Sequence, residues 1–107
     1  MTQDIIIPTL KWVVEKLYQG SFNIIYQRDD NKRLSVEEIR IAVTRYPGQM
    51  TLPPKAAYSF YEDYGNEESE SNFIEFDLWY DGSKSDLTLS MTVKPTSKYS
   101  IENIHVL

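Results

Sequence analysis

The chain has 107 residues, 41% of them apolar and 25% charged, with no cysteine and a net charge of −5. That length suits one domain, 1–107, able to bury roughly two-thirds of its unfolded surface, and the composition excludes a disordered chain. Without cysteine there is no disulfide framework, thiol nucleophile or cysteine-rich zinc site.

Asp4 places an acid where a secretory signal needs bases, and Ile5-Ile6-Ile7 is far too short to span a membrane. The expectation is a cytoplasmic protein without a membrane partner. Ile6, Leu10, Val13, Val14, Leu17 and Tyr18 then recur at helical spacing, with Lys11, Glu15 and Lys16 on the other side. Pro8 has no amide hydrogen and belongs near a helix start. The helix is therefore predicted to begin between residues 4 and 8 and to end at Gln19, where Gly20 can take the left-handed cap. Residues 21–27, with Phe22, Ile24, Ile25 and Tyr26, fit either a short helix or a brief strand, and residues 28–33 read as a charged turn.

The next helix has the clearest start signal. Ser35 is followed three positions on by Glu38, the spacing of a capping box, and Leu34 and Ile39 flank it as a hydrophobic staple. Val36, Ile39, Val43 and Tyr46 form its buried stripe, Arg40 and Arg45 lie on more exposed sides, and Pro47-Gly48 ends it. Residues 49–55 read as a loop stiffened by Pro53-Pro54. Residues 56–64 alternate weakly and favour a strand, with room for a helical turn at 54–57, and residues 65–72 form a polar loop.

The last third is patterned most regularly. Ile74, Phe76, Leu78 and Tyr80 share one face of a predicted strand, with Glu75 and Asp77 on the other. In residues 87–94, Leu87, Leu89, Met91 and Val93 alternate with Thr88, Ser90, Thr92 and Lys94. Residues 81–86 read as a longer hairpin loop, and residues 95–98 as the turn into a third run, 99–107. In that run Tyr99 and Ile101 have one parity and Ile104 and Val106 the other, so a bulge near Glu102-Asn103 is needed to return both pairs to the core. The fold class expected is α+β: N-terminal helices packed on one face of a roughly four-stranded antiparallel meander, the other face wet.

Charge is distributed unevenly. Between Lys55 and Lys84 there is no Lys or Arg, and the same window holds eight acids: Glu62, Asp63, Glu67, Glu68, Glu70, Glu75, Asp77 and Asp81. The rest of the chain carries the eleven bases against eight acids, a local +3. Such a balance argues against nucleic acid as a partner and for a basic protein.

The wording of residues 85–93 and 99–107, with Leu52-Pro53-Pro54, resembles the ending of a family of small bacterial proteins. Size, acidity and the order of helices before sheet look like the immunity proteins of contact-dependent growth inhibition and other polymorphic bacterial toxin systems. The resemblance implies a cytoplasmic immunity protein, monomeric until it binds and neutralises a cognate toxin domain such as a basic nuclease.

No catalytic motif supports an enzyme. His105 is the single histidine, and a base paired with Asp77 or Glu102 competes with the simpler reading of a solvated or hydrogen-bonded histidine on a sheet face. Glu67, Glu68 and Glu70 fit a solvated acidic loop better than a cation site, since neither a calcium-loop pattern nor a usual zinc ligand set is present, and no cofactor motif is found. Gly65 and Gly82 are isolated turn glycines rather than a phosphate cradle. The candidate binding surface is therefore Tyr61, Glu62, Asp63, Tyr64, Glu67, Glu68 and Glu70: tyrosines as stiff amphipathic anchors, acids for orientation and fast encounter. The competing reading is a cone-shaped pocket protein of the nuclear-transport-factor-like kind, a ligand binder or an enzyme, with Trp12, Trp79, Tyr80 or His105 lining its cavity.

Overall fold

The computed structural model describes residues 3–65 and 70–106. Three helices come first, α1 (Gln3–Gln19), α2 (Phe22–Arg28) and α3 (Val36–Thr44). Five strands follow: β1 (Met50–Thr51), β2 (Glu62–Gly65), β3 (Asn72–Tyr80), β4 (Ser83–Val93) and β5 (Tyr99–Val106), with a 3₁₀ turn at Lys55–Ser59 before β2. The strand pairings are antiparallel: β4 lies between β3 and β5, and β1 and β2 share the other edge of β3. The fold is α+β, helices packed against an open sheet. Among the described residues, no helix is long and apolar enough to cross a membrane.

Helix α1 starts at Gln3, just ahead of the predicted range, and Pro8 sits inside it. The missing Pro8 amide costs the Asp4 carbonyl its helical donor, a loss tolerable close to the helix start. At the other end Gly20 has φ +74 and donates to the Leu17 carbonyl at 3.1 Å, while Ser21 donates to Lys16 at 2.9 Å. These paired bonds form a Schellman cap, which needs the positive φ that glycine adopts freely. Of residues 21–27, all but the N-cap Ser21 are helical. Around α3 the capping box is present: Glu38 N–H donates to Ser35 Oγ at 3.1 Å and Ser35 N–H to Glu38 Oε1 at 3.0 Å. Leu34 packs against the core as a staple should.

The sheet differs from expectation in three places. Met50 and Thr51, placed in a loop, pair with Tyr80 and Trp79 and add a fifth strand; two residues give no alternation to read. Residues 56–59 belong to the 3₁₀ turn rather than a strand, so β2 is only four residues long. The β3–β4 connection is Asp81-Gly82 alone, with φ of 53° and 78°. Both values are left-handed, as a type I′ hairpin turn requires. Strand β4 consequently begins at Ser83.

The bulge expected near Glu102-Asn103 is there: Ser90 pairs with Asn103 and Met91 with Ile101, leaving Glu102 as the extra residue. It returns Ile104 to the core beside Ile101, but Val106 stays 53% exposed at the sheet's end. Along α1 the stripe from Ile6 to Leu17 is buried, whereas Tyr18 is exposed rather than in the core. One continuous core joins α1, Ile25 of α2, and Ile39 and Val43 of α3 to the inner residues of β3, β4 and β5. Each large apolar side chain buried there contributes about 1.5–3 kcal/mol relative to exposure.

Asp29, just after α2, locks the helices to the sheet. Its carboxylate is 1% exposed and accepts from the backbone amides of Asn31 (3.1 Å), Lys32 (2.9 Å) and, across the molecule, Ile101 (2.9 Å). Asp30 N–H adds a bond to the Tyr99 carbonyl at 2.8 Å, so the chain after α2 closes the outer edge of β5.

Candidate functional site

Strand alternation decides which side chains the helices cover. On β3, Ile74, Phe76, Leu78 and Tyr80 enter the core, so Phe73, Glu75, Asp77 and Trp79 face the opposite way. The same parity on β4 sends Thr88, Ser90 and Thr92 to that outer face. Register places Glu62 of β2 directly across from Glu75, and His105 of β5 across from Thr88. The outer face thus carries a polar ladder bordered by aromatic rings.

Hydroxyls fix its carboxylates in position. Glu75 accepts from Tyr64 OH at 2.8 Å through Oε1 and from Ser90 Oγ at 3.0 Å through Oε2. Asp77 Oδ1 accepts from Thr88 Oγ1 at 3.0 Å, and Glu102 Oε1 from Thr92 Oγ1 at 3.1 Å. Ser90 and Thr88 are buried beneath the acids they serve. Bonds of this kind to a carboxylate are short and strong, and they leave lone pairs directed outward. The Glu75 carboxylate beside Tyr64 raises that phenol above its ordinary value.

Cations are few on this face. Arg33 Nε lies 2.6 Å from Glu102 and Lys84 Nζ 3.9 Å from Asp77, whereas no base pairs with Glu62 or Glu75 among the described residues. Aromatic area lies alongside. Tyr64 is 61% exposed with its ring 5.7 Å from that of Phe73, and Phe60 is 79% exposed. Phe60, Trp79 and Lys84 border a small cavity of about 160 Å³.

The structure separates the residues singled out from sequence. Glu62 and Tyr64 lie on the outer face together. Asp63, between them, has the opposite parity, and its carboxylate is occupied by Gly65 N–H at 2.8 Å and the Asn72 amide at 2.9 Å. Tyr61 is half-buried against the core, and burial raises its phenol, with Asp63 adding to the effect. Glu70 is exposed in the bend before β3, and Glu67 and Glu68 lie outside the described residues. Glu75, Asp77, Phe73, Trp79 and Phe60 complete the surface without having been singled out. For the first four, the alternation of residues 73–80 was the available signal; nothing in the local sequence marks Phe60 as exposed.

The four residues considered as a pocket lining do not converge. Tyr80 is in the core, donating to the Val43 carbonyl, Trp79 faces outward, and Trp12 lines a groove on the helical side. His105 is separated from Asp77 by Thr88 on the same cross-strand row, and its Nδ1 is buried without a hydrogen-bond partner among the described residues. Among the described residues no three His, Asp or Glu side chains are grouped so as to hold a metal ion.

Residues 13–107 match the family described as Domain of unknown function (DUF7668). The chain belongs to this family. The DUF7668 match begins within α1 and takes in every strand, so the outer sheet face lies wholly inside the family's domain. Among curated proteins and among solved structures, nothing matches the chain.

Proposed function

We propose that this protein is a binding protein, a cytoplasmic immunity protein that neutralises a cognate bacterial toxin domain by docking the outer face of its sheet on a basic surface. One observation carries the reading: the face the helices leave bare holds Glu75 and Asp77 by side-chain hydrogen bonds, with Glu62 directly across from Glu75, beside the exposed rings of Phe60 and Tyr64. Exposed aromatic area rimmed by acids is the composition of a protein-binding surface for a cationic partner. Ordered carboxylates cost little further entropy on binding, and their field speeds the encounter with a positive surface.

A nuclease is the toxin class that fits best. Its substrate groove must be basic to hold phosphates, and a row of fixed carboxylates competes for the same cations. Neutralisation of this kind requires no chemistry from the inhibitor. The test begins with the reading frame beside this gene, which the proposal requires to encode an exported toxin. Coexpression of its toxic domain with this chain should restore growth, and calorimetry on the purified pair should give a saturable complex whose affinity falls with salt. No such neighbour, or a toxic domain that stays active and unbound, overturns the immunity reading.

A further inference from the structure

A separate groove of about 350 Å³ lies on the helical side of the molecule, where α1, the end of α2 and the β4–β5 turn meet. Its apolar part is Pro8, Trp12 and Tyr99, and its rim carries Arg28, Ser97 and Lys98. The Trp12 and Tyr99 rings stand 6.0 Å apart at 42°, a tilted pair that forms a stiff wall. The Arg28 guanidinium lies 5.2 Å from the centre of the Trp12 ring, and Lys16 Nζ lies 5.6 Å from it. A cation held over an indole is positioned by the ring's quadrupole while its N–H groups remain available to an anion.

The cations here are not directly ion-paired. Among the described residues no carboxylate lies within ion-pairing distance of Arg28, Lys16 or Lys98. The two adjacent acids direct their oxygens elsewhere, Asp29 to three backbone amides and Asp30 to Lys94, and moderate the positive field without pairing with Arg28 or Lys98. A chain of net charge −5 therefore keeps a cationic, aromatic-walled groove of the size that small-molecule sites occupy. We infer that this groove binds a small organic anion bearing a flat ring, the ring against Pro8, Trp12 and Tyr99 and the carboxylate or phosphate on Arg28 and Lys98. Arg28 supplies the planar fork that both anions accept in two bonds, and Lys98 a point charge beside it. The inference is independent of the sheet face and of any protein partner.

Heteronuclear NMR of the intact chain tests it, because Trp12 and Trp79 give two indole N–H signals, one in the groove and one on the sheet. Adenosine monophosphate and indole-3-acetate are the probes, with uncharged adenosine as control. A saturable shift of the Trp12 signal, with Trp79 unmoved, is expected from at least one anion. The double variant Arg28→Gln with Lys98→Gln changes only exposed side chains and should weaken that binding by about tenfold or more, the loss expected for charge-assisted bonds. The inference is overturned if neither anion gives a saturable Trp12 shift up to about 5 mM, if adenosine binds as tightly as its monophosphate, or if the double variant binds as well as the parent.

Discussion

Glu62 and Glu75 stand directly across from one another on β2 and β3, two carboxylates facing the same side of the sheet. Like charges in that relation destabilise a sheet, so the fold bears a cost at this position. A surface that keeps such a pair for a cationic partner should trade stability against binding. Replacing Glu62 by Lys creates an opposite-charge pair with Glu75 and should raise the urea midpoint of unfolding. The same change should cost the toxin complex about 2–5 kcal/mol if Glu62 is desolvated against a partner cation. Urea titration and calorimetry on one variant read both signs. A less stable variant would show that the Glu62–Glu75 pair costs the fold nothing, and unchanged binding would remove Glu62 from the proposed interface.

Asp63 predicts the reverse pattern. Its carboxylate holds Gly65 and Asn72 across the irregular end of β2 rather than facing outward. Asp63→Ala should lower stability by about 0.5–1.5 kcal/mol, the net worth of an ordinary hydrogen bond. Its effect on the complex should be smaller than that of Glu62→Lys. A larger loss of binding than of stability would show that the edge of β2, not the sheet face, meets the partner.

How far sequence reads into this structure depends on the length of each pattern. Residues 73–80 of β3 and 87–93 of β4 alternate long enough to place their side chains on a face, and Ser35 with Glu38 announces α3 at its first turn. The two residues of β1 and the four of β2 are too short to carry a period, and their pairing is set by β3. Asp81-Gly82 was visible as a turn signal, yet the polar residues after it suggested a longer loop; β4 bulges instead, and Ser85 Oγ reaches the Leu78 carbonyl. The candidate surface was legible as composition but not as geometry. Adjacent residues on a strand point to opposite faces, so Glu62 and Asp63 could not both face one partner. Glu75, 13 positions after Glu62, joins it only through register.

Asp29→Ala tests the link between helices and sheet. Three backbone amides would lose their acceptor, that of Ile101 in a buried setting at about 1–3 kcal/mol and those of Asn31 and Lys32 nearer the surface at less. The variant should be destabilised by about 2–3 kcal/mol, and urea unfolding measures it. Asp29→Asn keeps one acceptor oxygen and should fall between. A loss under about 1 kcal/mol for the alanine variant would mean water replaces the carboxylate at little cost.

Alkaline pH should weaken the fold through its buried tyrosines. Burial pushes Tyr58 and Tyr80 up to about 12, and Tyr99 is raised as well by burial, with Asp29 nearby adding to it. In the unfolded chain a phenol titrates near its ordinary value of about 10. Above that pH the unfolded state sheds protons that the folded state keeps, so stability falls; below it the contribution is complete and constant. Each tyrosine should remove about 1.4 kcal/mol per pH unit between its unfolded and folded values. Tyr58→Phe should reduce the slope by one such increment in urea midpoints taken from about pH 9 to about pH 12. An unchanged slope would mean that Tyr58 ionises equally in both states.

Phe60 and Tyr58 separate binding from folding within three residues of one chain. Tyr58 is 3% exposed and stacks on Phe76, ring centres 5.7 Å apart and 8° from parallel. Phe60, at the end of the same 3₁₀ turn, is 79% exposed above the cavity it borders with Trp79. An apolar ring held in water contributes little to the fold, so Phe60→Ala should leave the thermal midpoint nearly unchanged. Tyr58→Ala, in contrast, empties a core position and should cost about 3–5 kcal/mol. If the outer sheet face is the interface, Phe60 is the largest apolar area available to anchor it, and its truncation should weaken the complex by about 2 kcal/mol or more, close to thirtyfold. Both variants go through thermal denaturation, and the folded Phe60→Ala protein then through titration with the toxin domain. Full affinity in that folded variant would place the interface elsewhere and leave Phe60 as a surface ring without a partner.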